Sequence, residues 1–452
     1  MIRALEIFEN FYGKDHPETA IILMNLGNAY GDSGEYEKHK NLLIRALEIK
    51  EKHFGKYHPK SGKALINLGN AYFSLGDYEK ARNFLNRALS IDEKHFGMYH
   101  PETGKILGNL SNVYNDMGDY EKAGDFLIRV LAIFLKHYGP DHPETGKILC
   151  LLGNNYGSLG DHQQQRDFLI RSLSIIEKVF GKDHPNTAKI LNNLGNAYGC
   201  LGDYKKRMDF LVRALKIEEK HYGVDHLVVG TTLTNLGNVY GQLGDYTQQT
   251  DILNRALPIL ERFYGMNHPQ TGIILFSLSN AHQSMGNYEK QKEFLILTLK
   301  IFEKQYGNDH LQTGVILGSL GNSYGYLGDY EKQKKYLTLA LEIFEKHYCK
   351  DHPQIAMTLT NLSNAYGSLG EYEKQRDFLV RALAMKEKQF GKDHPITGTT
   401  LTNLGNACLS LGEYKNARDF LIRALKINEN PLEATIHKLV SHLTVLAMYM
   451  VI

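Results

Sequence analysis

Cysteine is scarce in this chain: Cys150, Cys200, Cys349 and Cys408 are the only four in 452 residues. They show neither a disulfide framework nor a metal-ligand spacing, which favours a reducing, cytoplasmic setting. Charge imbalance is nearly absent, with 52 Lys and Arg against 50 Asp and Glu for a formal net charge of +2. No global basic field therefore draws the chain to nucleic acid or anionic lipid. No apolar run approaches the roughly 18–20 residues of a membrane span, and the charged, helix-patterned start MIRALEIFENFYG is unlike a secretory leader. H-E-x-x-H pairs, nucleophile elbows and paired-carboxylate motifs are missing too. Gly97 to Lys105 faintly echoes a phosphate loop, but six residues separate its glycines and Ile106 stands where Ser or Thr is needed. These absences predict a chain that is not an enzyme and carries no cofactor.

What is present is repetition. L-G-N-A-Y, Leu26 to Tyr30, returns with small variations every 42 residues, and its asparagine stands in all ten copies. A fixed period of this length signals a stacked array of supersecondary units, not separate globular domains. Taking residues 16–57 as the unit, His16-Pro17 opens a helix, since Pro in a first turn lacks only an N–H that would be unpaired anyway. The cap itself is Asp15 or His16, and the sequence leaves both open. Leu23, Leu26 and Tyr30 give the three- and four-residue spacing of an amphipathic helix to about Ser33. Gly34, present in every copy, fits a left-handed C-terminal cap. A second helix runs from Tyr36 to about His53 with Leu43, Ala46, Leu47 and Ile49 as its buried stripe. One such hairpin cannot bury its stripe alone; ten stacked ones share a continuous core. Gly27, which is Gly or Ser in every copy, and the small Ala46 of the second helix are expected to meet where the helices approach closely.

The pattern L-x-x-L-G-x-x-Y followed by G-x-Y and A-L resembles the tetratricopeptide repeat over about residues 1–430. The 42-residue period and the G-x-D-H-P linker, seen at Gly13 to Pro17 and Gly181 to Pro185, resemble the kinesin light chain subtype. The heptad segment of kinesin light chains has no counterpart in these residues, so the resemblance carries the repeat type and not the motor-subunit role. It implies an all-α, right-handed α-solenoid of antiparallel hairpins, first helices lining a concave groove for extended peptides.

Residues 21, 25, 28 and 32 share a helix face distinct from the core stripe, and the resemblance makes that face the groove. It carries Asn25, Asn67, Asn109, Asn193, Asn235, Asn361 and Asn403, beside Asn28, Asn70, Asn112, Asn154, Asn196, Asn238, Asn280, Asn322, Asn364 and Asn406. An amide offers two donors and an acceptor, suited to the backbone of an extended peptide; the alternative is a structural ladder between adjacent helices. In carboxylate-clamp domains of the family, asparagines and basic residues share this face. Asn70, Asn112 and Lys147 match that pattern, whereas Ile66 and Leu151 replace two of its charged partners. Lys63, Lys105, Lys147 and Lys189 form a basic stripe in repeats two to five, giving way to Thr231, Ile273, Val315, Met357 and Thr399. The expectation is that repeats two to five prefer acidic or C-terminal carboxylate peptides, against the alternative of a solvated stripe. Phe73 and Tyr326 supply aromatic surface at the groove edge.

Ten histidines, His16 to His394, recur at the period. Stacked hairpins set equivalent atoms roughly 8–10 Å apart, too far to share a zinc ion bound at about 2.1 Å, so capping or linker packing is expected. Residues 1–15 read as the second helix of a truncated repeat, 16–430 as ten repeats, and 431–452 as a capping helix whose apolar end, Ala447 to Ile452, fits an incomplete cap, a self-association site or a truncated further repeat alike. The function expected is a non-enzymatic scaffold or adaptor binding a peptide or protein partner, with no nucleic acid partner. The alternative is the sensor region of a larger signalling protein.

Overall fold

The computed structural model describes residues 2–429, and the expected capping segment at 431–452 lies outside them. The described residues form 21 α-helices and no strand. They divide into two compact units. In the first, α1 (Ile2–Tyr12) is followed by α2 (Pro17–Asp32), α3 (Tyr36–Phe54), α4 (Pro59–Ser74), α5 (Tyr78–Phe96), α6 (Pro101–Asp116), α7 (Tyr120–Tyr138), α8 (Pro143–Ser158), α9 (His162–Phe180), α10 (Pro185–Cys200) and α11 (Tyr204–Tyr222). In the second are α12 (Leu227–Gln242), α13 (Tyr246–Tyr264), α14 (Pro269–Ser284), α15 (Tyr288–Tyr306), α16 (Leu311–Tyr326), α17 (Tyr330–His347), α18 (Pro353–Ser368), α19 (Tyr372–Phe390), α20 (Pro395–Ser410) and α21 (Tyr414–Glu429). Each even-numbered helix pairs with the odd one after it as an antiparallel hairpin, and within each unit the hairpins stack in chain order. The architecture is an all-α solenoid.

The boundaries follow from the chemistry of the loops. Inside every hairpin a glycine at φ between +73° and +82°, Gly34 through Gly412, ends the first helix in the left-handed region that other residues avoid. Between most hairpins a second glycine, such as Gly55 at φ +92°, closes the second helix, while Cys349 takes its place after α17. The open question of the cap is settled for histidine. All ten histidines from His16 to His394 accept, through Nδ1, the backbone N–H two residues on, at 3.1–3.3 Å. The rings of nine of them also stack on the aromatic residue four positions earlier, as Phe96 does on His100 at 4.9 Å between centroids. Capping and linker packing are thus both realised by one side chain. A hydroxyl completes the joint: Thr103 Oγ1 donates to Gly97 O at 3.0 Å, and Thr19, Ser61, Thr145, Thr187, Thr271, Thr313 and Thr397 repeat the contact.

Leu23, Leu43, Ala46, Leu47 and Ile49 are buried as the periodicity predicts. The expected meeting of Gly27 with Ala46 is corrected. A Cβ built on Gly69 would stand 2.7 Å from Leu85 Cγ, and Gly153, Gly237, Gly321 and Gly405 face Leu169, Leu253, Leu337 and Leu421 in the same way. The notch admits a leucine from the second helix of its own hairpin, so the packing is large into small. At Gly27 itself the nearest atom is His39 O, 3.4 Å from such a Cβ.

On the second helices, ion pairs join successive hairpins. Arg45–Glu9, Arg87–Glu51, Arg129–Glu93 and Arg213–Glu177 pair at 2.5–2.7 Å in the first unit, and Arg381–Glu345 and Arg423–Glu387 at 2.5 Å in the second. Exposed pairs of this kind contribute roughly 0–1 kcal/mol each, so they trim the stacking register while the apolar core carries the stability.

Candidate functional site: the face of the first helices

Neighbouring first helices approach one another in the pairs α2–α4, α4–α6 and α8–α10 of the first unit and α12–α14 and α16–α18 of the second. These approaches place the first helices side by side in one layer of each stack. Positions 21, 25, 28 and 32 of α2 are all exposed, as the helix-face argument requires. Along the same face Asn70, Asn112, Asn196, Asn280, Asn364 and Asn406 are exposed, whereas Asn154, Asn238 and Asn322 are half-buried. The residues one turn earlier, Asn67, Asn109, Asn193, Asn235, Asn361 and Asn403, are half-buried, while Asn25 is exposed.

Two asparagine rungs close between first helices. Asn67 Nδ2 donates to Asn28 Oδ1 at 3.4 Å, and Asn361 Nδ2 to Asn322 Oδ1 at 3.0 Å. Asn193 instead reaches Cys150 Sγ at 3.7 Å. The ladder is therefore local, and most of the series presents its amide to the open face. Around the second rung Asn322, Asn361 and Asn364 line a hollow of about 230 Å³ with Tyr326 and Gln333. Tyr326 is 58% exposed and stacks on Tyr288 with centroids 4.3 Å apart. Phe73 is half-buried against Tyr78 at 5.7 Å.

The basic stripe is uneven. Lys105 and Lys147 each pair with the glutamate three residues earlier, Glu102 and Glu144, at 2.6 Å. The Glu102 hydrogen bond holds the Lys105 ammonium above its ordinary range. In the second hairpin the glutamate position is Lys60, so Lys63 stands beside another cation. Lys60 Nζ lies 4.5 Å over the Phe54 ring.

Sequence reasoning missed the charges behind the first helices. At one position of the second helices the chain carries Lys50, Asp92, Glu218 and Lys386, where other hairpins have Phe134, Ile176, Leu260, Phe302 or Phe344. Lys50, Asp92 and Glu218 are 7%, 5% and 2% exposed. Glu218 accepts from Asn192 Nδ2 at 2.7 Å. Lys386 Nζ donates to Thr360 and Thr400 at 2.9 and 3.0 Å. Burial lowers the Lys50 ammonium from its ordinary range, with Lys63 and Lys60 adding to the effect, and raises the Asp92 carboxyl, with Glu102 adding. Another missed signal is a size exchange. Where position 31 of the repeat is glycine, position 39 is a long polar residue, as in Gly325 and Gln333; where it is Phe73, Asn115 or Leu409, the partner is Ala81, Ala123 or Ala417. That exchange was legible to anyone aligning the ten copies.

Among the described residues no group of three or more His, Cys, Asp or Glu side chains is placed to hold a metal ion, and no helix is long and apolar enough to cross a membrane.

An all-α solenoid of 42-residue hairpins with capped, glycine-closed joints is a repeat scaffold. A family model described as tetratricopeptide repeat matches residues 1–52, 34–94, 102–164, 166–220, 229–295, 284–346 and 354–430, and the chain belongs to that family. A second model of the same description matches residues 145–186. Repeats of this family serve as protein–protein interaction scaffolds and are generally non-catalytic. The chain resembles the kinesin light chain-like protein BtubC (BKLC) of P. vanneervenii, at 21% identity and TM-score 0.45 over 51% of this chain and 92% of that one. It also resembles a putative kinesin light chain of Podosopora anserina with nearly identical repeats, at 23% identity and TM-score 0.42 over 45% and 97%. A STAND protein with a tetratricopeptide repeat sensor, PH0952 from Pyrococcus horikoshii, aligns over 85% of this chain and 54% of that one at 16% identity and TM-score 0.57. Among curated proteins none matches the chain.

Proposed function

We propose that the chain is a non-enzymatic adaptor that binds an extended peptide, or an extended segment of a protein partner, along the inner face of its first helices. The observation that carries this reading is the asparagine series. Ten copies keep an amide in one place on a helix, although Asn is an indifferent helix former, and among the described residues two rungs, at Asn28 and Asn322, are spent on each other. The remaining amides offer both donors and acceptors, which is what an extended backbone requires. In repeats two to five the lysine stripe adds a preference for acidic or C-terminal carboxylate peptides, centred on Lys63 because Lys105 and Lys147 already have internal glutamate partners. The cytoplasm is the proposed setting, in keeping with four unpaired cysteines.

The test is panning a random peptide library with free C-termini against the purified chain and against a variant with Asn70, Asn112 and Asn196 changed to Ala and Lys63 to Glu. A motif recovered by the chain and lost by the variant supports the reading. The same motif recovered by both places binding elsewhere. If neither recovers a motif and the variant unfolds more readily, the asparagines are a structural ladder. The same face also suits the sensor region of a larger signalling protein, as in the Pyrococcus horikoshii protein. Reading the gene beyond both ends of this sequence separates the two arrangements.

A further inference from the structure

The four charges that share one position of the second helices, three of them buried and Lys386 half-buried, meet two different fates. Glu218 Oε1 accepts from Asn192, and Lys386 donates to Thr360 and Thr400. Lys50 and Asp92 make no hydrogen bond or ion pair among the described residues, although each is more than nine-tenths buried. Both instead line an open cleft of about 500 Å³ between the first three hairpins, with Lys60, Lys63, Phe54 and Glu102. Gly62 leaves room there, since a Cβ on it would come within 3.3 Å of Asp92 Oδ1. Their charged atoms open onto the cleft, and other hairpins hold a Phe, Ile or Leu at this position, so an apolar residue fits the fold. Two such charges of opposite sign in one cleft call for a ligand that neutralises both.

We propose that this cleft is a subsite for an oppositely charged pair of side chains on the bound peptide, a carboxylate seated among Lys50, Lys60 and Lys63 and a cation against Asp92 and Glu102. The proposal rests on the groove reading above and narrows its ligand, because a purely acidic peptide would meet repulsion at Asp92 and Glu102. Glu18 lines the cleft as well, and Glu102 also pairs with Lys105 at 2.6 Å. The charge of Lys63 acts on Lys50 and on Asp92. Burial opposes the charged form of Lys50 and of Asp92, and an incoming counter-charge offsets that opposition in each case.

The experiment has two readouts on the intact chain and on Lys50→Met, Asp92→Asn and Lys386→Met. The first is an array of acetylated, amidated octapeptides carrying Glu and Lys at separations of one to four residues, with Gln and norleucine replacements at each. The chain should favour peptides that hold both charges by about tenfold. Lys50→Met should abolish the preference for Glu over Gln, and Asp92→Asn the preference for Lys over norleucine. The second readout is the thermal midpoint. Lys50→Met and Asp92→Asn should raise it by about 2–4 °C, as removal of a buried unpaired charge does, whereas Lys386→Met should lower it by losing two hydrogen bonds. Peptide binding that both variants leave unchanged overturns the subsite while the groove reading stands. A fall in the midpoint of Lys50→Met like that of Lys386→Met overturns it as well, marking the charge as structural. An array that binds nothing counts against the groove reading itself, and the subsite falls with it.

Discussion

Gln333 fills the notch left by Gly325: a Cβ on that glycine would stand 2.5 Å from Gln333 Nε2. The same exchange of bulk recurs with Phe73 over Ala81 and Leu409 over Ala417, whereas Gln283 and Gln291 are both large and share a hydrogen bond at 3.2 Å. In the Gly–Gln and bulky–Ala hairpins one partner is small where the other is large, as interiors packed to crystal density favour.

That relationship predicts strong coupling. Gly325→Leu alone should destabilise by about 1–3 kcal/mol through overpacking. Adding Gln333→Ala should recover most of the loss, giving a coupling energy of about 1–2 kcal/mol in a double-mutant cycle. Urea denaturation of the four chains measures it, and additive effects would refute the account.

Helix glycines divide into those that carry a contact and those that do not. Gly108 has nothing within 4 Å of a built Cβ, so Gly108→Ala should stabilise by about 0.5–1 kcal/mol through helix propensity. Gly69→Ala must displace Leu85 and should cost about 1–3 kcal/mol despite the same gain in propensity. Thermal midpoints moving in opposite directions would confirm the division.

At the joints, Thr103→Val should cost about 1 kcal/mol, because the Gly97 carbonyl loses its hydroxyl partner. The effect should be local. Amide exchange in the first turn of α6 should quicken while α2 and α3 keep their protection. His100→Ala should cost a similar amount by removing the cap, and His100→Asn should restore most of it.

Acid should weaken the fold through His39 and His282. Burial lowers both imidazoles below the ordinary value of 6.5. The unfolded chain therefore binds protons more readily than the folded one. The contribution is fully present above about pH 6.5 and is lost progressively as the pH falls below it. His39→Gln, a residue used at this position in other hairpins, should flatten that part of the stability profile between pH 7 and pH 5. An unchanged profile for a variant lacking both histidines would contradict the assignment.

The sequence by itself determined the class of this protein. Period, leucine spacing and invariant glycines lie within single helices and turns, where φ and helical pitch translate directly into residue choice. Hence Pro17, Gly34 and the stripe at Leu43, Ala46, Leu47 and Ile49 were legible without coordinates. The exposed asparagine face was legible for the same reason, since residues three and four apart must share a side of the helix.

What only tertiary structure decided are relations between helices, where no local spacing applies. The mates of Gly69 and Gly325, the closure of the Asn28–Asn67 and Asn322–Asn361 rungs, and the choice of His16 over Asp15 as cap all depend on side chains brought together from different segments or turned at a joint. The clearest case is Lys50. On its own helix it reads as one more lysine in a polar run, and stacking alone buries it without a partner beside Lys60 and Lys63.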